Sequence, residues 1–327
     1  LYILGGLIAA GVLLLAAWNI ELPYLAFSAG PVSDAADAIQ AEGVPVYPPD
    51  GELLMLTVVS QDVNVFEAII VGLDPTMDLV RREAYRPPDE SDEDYRDRVL
   101  QQMDDSQQTS IAVAMRYLGY EMTPLDILIS DVATDVPASG VLEPGDSVDS
   151  LNGLRIKNLD DVTAALDGLQ PGETIEVGIS RAGSAQTVSV ELVERPDAPG
   201  EPMIGITVRE LTEPPFPLTI DTGVIGGPSA GMMHTLAIID TLTDGELTHG
   251  HVVAGTGTIS PDGTIGNIGG IRQKVVGAEA AGAEYMLVPE GNYEQALTAE
   301  RHTIELVPVA SVDDAIAFLD TLPDSTY

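Results

Sequence analysis

The sequence predicts an α+β chain: an apolar N-terminal helix, a helical segment, a small β-rich module, and a C-terminal domain of mixed sheets and helices. Three observations predict it. Residues 1–20 carry no charge, residues 125–193 alternate short strand-like runs with Pro-Gly and Asn-Gly turns, and residues 216–289 hold two glycine-rich turns that each open a helix. The 327 residues leave room for two domains plus extras, at about 150 residues per domain. With 52 acidic and 14 basic side chains the net charge is −38. That balance excludes nucleic acid as a partner, because phosphate binding needs a positive face, and disfavours docking on an anionic membrane surface. The chain has no cysteine, which removes disulfides, thiolate catalysis and cysteine metal sites together. Of its four histidines, His249 and His251 stand two apart, a spacing that reads as a polar turn entering a strand. Neither a metal nor a cofactor is expected.

The first element, residues 1–22, is expected to be a transmembrane anchor. Twenty uncharged residues at helical rise span about 30 Å, the thickness of a bilayer's hydrocarbon core. Trp18 and Tyr24 would sit in the interfacial belt, and Pro23 would end the helix. A cleaved leader ending near Ala26-Phe-Ser-Ala29 is the rival reading. No Lys or Arg precedes Arg81, so the domains that follow are expected on the extracytoplasmic side of the cell membrane.

Residues 23–50, rich in Pro, Ala and Asp, read as a linker closing in the turn Tyr47-Pro-Pro-Asp-Gly51. Residues 51–122 open with a buried strand over Leu53–Val59 and continue as a helical segment over 66–118, interrupted near Pro87-Pro88, that packs on the domains beside it. Within residues 123–195 the order is a strand over Leu125–Val132, then Gly140-Val-Leu-Glu-Pro-Gly-Asp146, Asn152-Gly153 and a helix through Leu159, Val162 and Leu166. Two strands joined by Arg181-Ala-Gly-Ser184 close the module. This order resembles a PDZ domain of the bacterial protease-associated kind. The resemblance implies a β-sandwich that takes an extended peptide as an added strand. Leu118-Gly119-Tyr120 is the nearest match to the carboxylate-binding loop of such domains, and it stands early.

The chemistry lies in residues 200–327. A strand ends in Ile225-Gly-Gly-Pro-Ser229-Ala-Gly231, and a helix begins at the serine. Unpaired N–H groups at a helix start can hold an oxyanion, and a serine there is placed as a nucleophile, although serines at helix starts are commonly only caps. The second turn, Ile268-Gly-Gly-Ile-Arg-Gln-Lys274, opens another helix. Lysine is nearly absent from the chain, only Lys157 and Lys274 being present. An ammonium near a helix N-terminus in apolar company loses its proton more easily, and a neutral amine can take the proton of a serine hydroxyl. Taken alone, Lys274 reads rather as a surface cation.

Together, Gly227-Pro-Ser229-Ala-Gly231, Thr256-Gly257 and Ile268–Lys274, with a step of eighteen residues from Thr256 to Lys274, resemble the Lon protease proteolytic domain. The resemblance runs through Val288-Pro289 to the C-terminus. It implies a Ser-Lys dyad serine endopeptidase, with Ser229 and Lys274 catalytic, Thr256 supporting the lysine, and N–H groups around Gly227 to Ser229 holding the oxyanion. One position departs from many relatives: Gly226 stands where they carry an acidic residue. The whole arrangement resembles the membrane-anchored PDZ–Lon proteases of bacteria, which implies membrane-proximal protein or peptide substrates and a hexameric homo-oligomeric ring. The 327 residues contain no P-loop motif, so the resemblance is to an ATP-independent relative.

Two rival functions stand beside it. Gly227-Pro-Ser-Ala-Gly231 also fits the Gly-x-Ser-x-Gly elbow of α/β-hydrolases, with His302 as the triad histidine. A PDZ membrane adaptor with an inert Lon-like domain is the rival from another class.

Overall fold

The computed structural model describes residues 18–87, 90–223, 225–244 and 247–325. The chain divides into two compact units, one from the described residues of 1–119 and 216–327, the other from residues 120–215. The first unit opens with strands β1 (Glu21–Asp34) and β2 (Glu52–Asn64), helix α1 (Val65–Val71), strand β3 (Asp78–Arg81) and the long helix α2 (Asp92–Tyr117). After the second unit it resumes with α3 (Gly231–Leu242), β4 (Val252–Gly255), α4 (Ile271–Ala280), β5 (Tyr285–Pro289), β6 (Glu305–Val309) and α5 (Val312–Leu319).

Six of these strands form one sheet in the order β6-β5-β4-β2-β1-β3. β4 pairs in parallel with both β2 and β5, and β5 with β6, whereas β1 runs antiparallel to β2 and β3. The expected α+β class is therefore corrected to mixed α/β. The physical reason is the alternation β4-α4-β5, in which the chain crosses over through a helix and the two strands pair in parallel. Apolar side chains of α4, among them Ile271, Val275 and Ala278, meet Leu54, Ala254 and Met286 of the sheet. Helix α3 touches both β2 and α2. Met232, Met233, Leu236 and Ile238 are completely buried, as befits a helix that is apolar all round.

The N-terminal transmembrane helix is not supported. Among the described residues no helix is long and apolar enough to cross a membrane. Residues 1–17 of the expected span lie outside the described residues, and from Glu21 onward the chain is strand β1, which carries both Pro23 and Tyr24. The expected linker over 23–50 is also corrected, because 21–34 pairs with β2 and Ile39–Ala41 pairs with Leu218–Ile220. The prolines misled the reading. Pro23 and Pro31 fall in the two register shifts of β1, between Glu21 and Leu25 and between Ala29 and Val32, where a missing N–H breaks no ladder. The helical reading of 66–118 likewise contains a strand, β3, which closes the sheet edge against β1.

In the second unit, strands Ile206–Glu213, Thr123–Val132, Ser147–Leu151, Thr174–Arg181 and Ser184–Glu191 pair in that order, all antiparallel, and Leu154-Arg155 adds to Ser147–Leu151. The expected sandwich is instead this one large sheet plus a separate two-stranded ribbon of Val193–Arg195 and Ala198–Met203, with helix Leu159–Leu166 laying Val162, Ala165 and Leu166 on the apolar core. Two pieces of the sequence pattern meet here. Asp146 of the Pro-Gly-Asp turn accepts from Arg181 Nε and Nη2, both at 2.7 Å, and from the Glu143 N–H at 2.9 Å. The guanidinium holds the Asp146 carboxyl below the usual carboxylate range. Ala182 and Gly183 supply the left-handed pair that the two-residue hairpin requires.

Candidate active site

Strand Leu218–Ile220 gives way to a glycine-rich loop, and Gly227 at φ 93° turns the chain into a short 3-10 turn over Pro228–Ala230. A positive φ is costly for any residue with a β-carbon, so glycine is what lets the turn form here. Ser229 lies in the middle of that turn and does not cap α3. The N-cap is Ala230, with no side-chain cap bond, which leaves the serine hydroxyl free for other work.

Lys274 is the fourth residue of α4 and is only 3% exposed, so it is not a surface cation. Its Nζ donates to Ser229 Oγ at 2.8 Å and to Thr256 Oγ1 at 2.8 Å. Thr256, just past the end of β4, donates through Oγ1 to the Ser229 carbonyl at 3.0 Å, and the Gly257 N–H donates to the same carbonyl at 2.9 Å. Three segments that are distant in sequence thus close a ring of hydrogen bonds around one hydroxyl. No carboxylate pairs with Lys274 among the described residues, and burial alone pushes its ammonium down to about 7. That burial favours the unprotonated amine, a form that can accept a proton.

The fourth residue expected at the site behaves differently. The Gly227 N–H donates to Val99 O of α2 at 2.8 Å, and Pro228 has no N–H to give. Of the N–H groups expected to hold an oxyanion over Gly227 to Ser229, only that of Ser229 has no acceptor among the described residues.

A cleft of about 400 Å3 opens on Ser229 and Lys274. Its walls come from Phe27 and Pro31 of β1, Met55 to Val59 of β2, Tyr85, Met103 of α2, and Ile225 to Gly227. β4 ends opposite Met55, so the stretch of β2 after it is unpaired on that edge within the described sheet. Tyr85 packs on Phe27 with ring centroids 4.8 Å apart. Apart from Ile225 to Gly227, none of these wall residues came out of the sequence motifs; they come from the N-terminal half, whose relation to the serine is purely tertiary. Gln273, beside Lys274, was also missed: it is 1% exposed, with neither amide atom paired among the described residues.

The histidines do other things. His302 is exposed and its imidazole pairs with Glu279, away from the residues that line the cleft. His251 Nδ1 pairs with Glu284 and Nε2 with the Pro323 carbonyl, and His249 pairs with Asp324. Among the described residues no group of three His, Asp or Glu side chains is arranged to hold a metal ion.

Residues 221–320 match the family model of the Lon protease (S16) C-terminal proteolytic domain, and residues 101–192 match that of the PDZ domain. Similar curated proteins include the Lon protease of Phenylobacterium zucineum, 34% identical over 148 residues, which are 44% of this chain and 18% of that protein. The Lon protease of Campylobacter concisus is 35% identical over 98 residues, 30% of this chain and 11% of that protein. The Lon protease of Fusobacterium nucleatum is 42% identical over 66 residues, 20% of this chain and 8% of that protein. The chain therefore spans less than a fifth of the length of these relatives. Among solved structures, the PDZ domain of an SdrC-like protein from Listeria monocytogenes is 24% identical, covering 25% of this chain and 86% of its own at a TM-score of 0.24. That of an SdrC-like protein from Listeria innocua is 23% identical, covering 26% and 94% at 0.25. The chain contains a Lon-type proteolytic domain, within which Ser229, Thr256 and Lys274 all lie, and a PDZ domain.

Proposed function

We propose that this protein is a serine endopeptidase with Ser229 as nucleophile and Lys274 as general base. The observation that carries the reading is the 2.8 Å contact between Lys274 Nζ and Ser229 Oγ, made by a buried amine with no carboxylate partner. Neutral Lys274 takes the hydroxyl proton as Ser229 Oγ bonds to the peptide carbonyl carbon, and the Ser229 N–H faces the developing oxyanion. The C–N bond then breaks, and Lys274 returns the proton to the leaving amine. Water attacks the acyl ester, giving its proton to Lys274, and the carboxyl product leaves as the proton goes back to Ser229 Oγ. Thr256 fixes the amine by accepting one of its hydrogens. The uncovered edge of β2 past Met55 would receive the substrate as an extended strand, an affinity that rests on main-chain bonds and tolerates varied side chains. The PDZ domain would dock peptide segments of the same substrates.

The test is incubation of the full chain and of Ser229→Ala with unfolded casein, without nucleotide. Fragments from the wild type and none from Ser229→Ala are expected; equal cleavage by both would refute the assignment.

A further inference from the structure

The turn that carries Ser229 is held from two directions. Thr256 and Gly257 hold its carbonyl from the side of the base. From the other side comes one face of α2, through Val99, Met103, Ser106 and Ser110. These residues recur at intervals of four, three and four, the spacing of a single helical stripe.

Val99, Ser106 and Ser110 reach the turn at different points, and Met103 lines the cleft beside it. Val99 O accepts the Gly227 N–H at 2.8 Å, and Ser106 Oγ donates to the Pro228 carbonyl at 3.2 Å. Ser110 Oγ lies 2.9 Å from the Gly231 carbonyl and 2.7 Å from its own helix's Ser106 carbonyl, so its single proton is shared between them. One position further round, Gln107 Nε2 donates to Thr222 Oγ1 at 2.9 Å, upstream in the same loop. The main chain is thus gripped at 227, 228 and 231, on both sides of Ser229.

The approach is close enough to dictate glycine. A β-carbon at Gly226 would come within 2.9 Å of Val99 Cγ2, and one at Gly231 within 2.8 Å of Ser106 Oγ. This accounts for the one departure from the Lon-type motif, since α2 fills the space that a side chain at 226 would need. Ser106 and Ser110 are themselves buried, at 6% and 0% exposure. Buried hydroxyls stabilise a helix packing face less than an alkyl group would, unless a specific acceptor uses them. Ser110 has an acceptor within its own helix, as helical serines commonly do. Among the described residues the Ser106 hydroxyl has only the Pro228 carbonyl, which makes it the sharper of the two.

We infer that α2, through the Val99 carbonyl and the Ser106 and Ser110 hydroxyls, sets the attack position of Ser229, making Ser106 and Ser110 positioning residues for the nucleophile. The inference rests on the peptidase reading. Its basis is geometric: an ångström of drift in the turn would break the 2.8 Å contact with Lys274, and displacements of that size cost about a hundredfold in rate.

The experiment compares Ser106→Thr with Ser106→Val in the full chain. The two side chains have the same shape, and only the first keeps a hydroxyl. With unfolded casein as substrate, kcat of the valine variant is expected to fall about ten- to a hundredfold with KM unchanged, and the threonine variant to recover most of it. Equal kcat in the two folded variants overturns the inference. The Ser229→Ala control separates the two levels. If wild type cleaves and Ser229→Ala does not, equal valine and threonine rates sink only the role of α2; if Ser229→Ala cleaves as wild type does, both readings fall. Should Ser106→Val not fold, a second pair decides. Gly226→Ala pushes on Val99 and should lower kcat, and Val99→Ala added to it should restore kcat. Failure of that restoration overturns the inference as well.

Discussion

Replacing Lys274 by Met isolates what the candidate base costs the fold. The amine is buried, and burial brings it from its ordinary 10.5 down to about 7. The folded value lies below the unfolded one. Between about 7 and 10.5 the unfolded chain therefore holds a proton that the folded chain lacks, and stability climbs with pH across that window. Below about 7 the penalty is full and constant. At about 1.36 kcal/mol per pH unit, the gap from 10.5 to about 7 amounts to about 5 kcal/mol, of which about 4 is felt at neutral pH. Methionine keeps the length and removes the charge, at the loss of the bonds to Ser229 Oγ and Thr256 Oγ1, worth about 1 kcal/mol each. Lys274→Met is thus expected to be more stable than wild type by about 2–3 kcal/mol at neutral pH. The advantage should vanish or reverse near pH 10, where the folded amine is neutral and the unfolded amine has begun to lose its proton, so the remaining penalty is smaller than the lost bonds. Urea unfolding of both proteins from about pH 6 to about pH 10 measures the difference directly, and titrations common to the two cancel. A difference that does not change with pH, or a variant less stable than wild type at neutral pH, would refute the claim that burial neutralises this lysine.

Four further outcomes follow from the same geometry. Lys274→Arg should be as inactive on casein as Lys274→Ala, because a guanidinium stays protonated, and appreciable activity in the arginine variant would remove the base assignment. Thr256→Val should lower kcat about tenfold and cost about 1–2 kcal/mol, since the Ser229 carbonyl and the Lys274 amine each lose a buried partner; steady-state kinetics and urea unfolding read the two effects. His234 is fully buried, its ring nitrogens unpaired among the described residues, and burial pushes it down to about 4. Stability should then fall as pH drops from 6.5 to about 4, by up to about 3 kcal/mol, and His234→Leu should flatten that slope in acid titrations followed by circular dichroism. Arg181→Met leaves the Asp146 carboxylate with only the Glu143 N–H and should destabilise the PDZ domain, seen as an earlier urea midpoint for that unit.

How much of this was legible in the sequence depended on whether a residue announces its role locally. Ser229 and Lys274 stand in glycine-rich turns that open helices, so their placement at helix starts is a matter of a few neighbouring residues. The helix through Leu159 and Leu166 and the hairpin at Arg181-Ala-Gly are local in the same way. The N-terminal third was misread where local signals point away from the structure. Pro23 and Pro31 suggest a linker, but they fall in register shifts of a strand whose partner lies about thirty residues downstream, a pairing that no local pattern reveals. The stripe Val99, Met103, Ser106, Ser110 looks like an ordinary amphipathic face. Its target, the Ser229 turn, lies more than a hundred residues away across the whole PDZ domain.

The sequence by itself determined the chemistry on offer: one serine in a glycine turn, one of only two lysines eighteen residues after a threonine, and no thiol at all. It determined these because motif spacing follows from short-range backbone geometry. Only the tertiary structure decided that Lys274 is buried and therefore close to neutral, that Ala230 rather than Ser229 caps α3, and that the Gly227 N–H is spent on α2. Burial and hydrogen-bond partnership depend on what distant segments bring to a position, and the dielectric around an amine is set by the whole packed core, not by its neighbours in the chain.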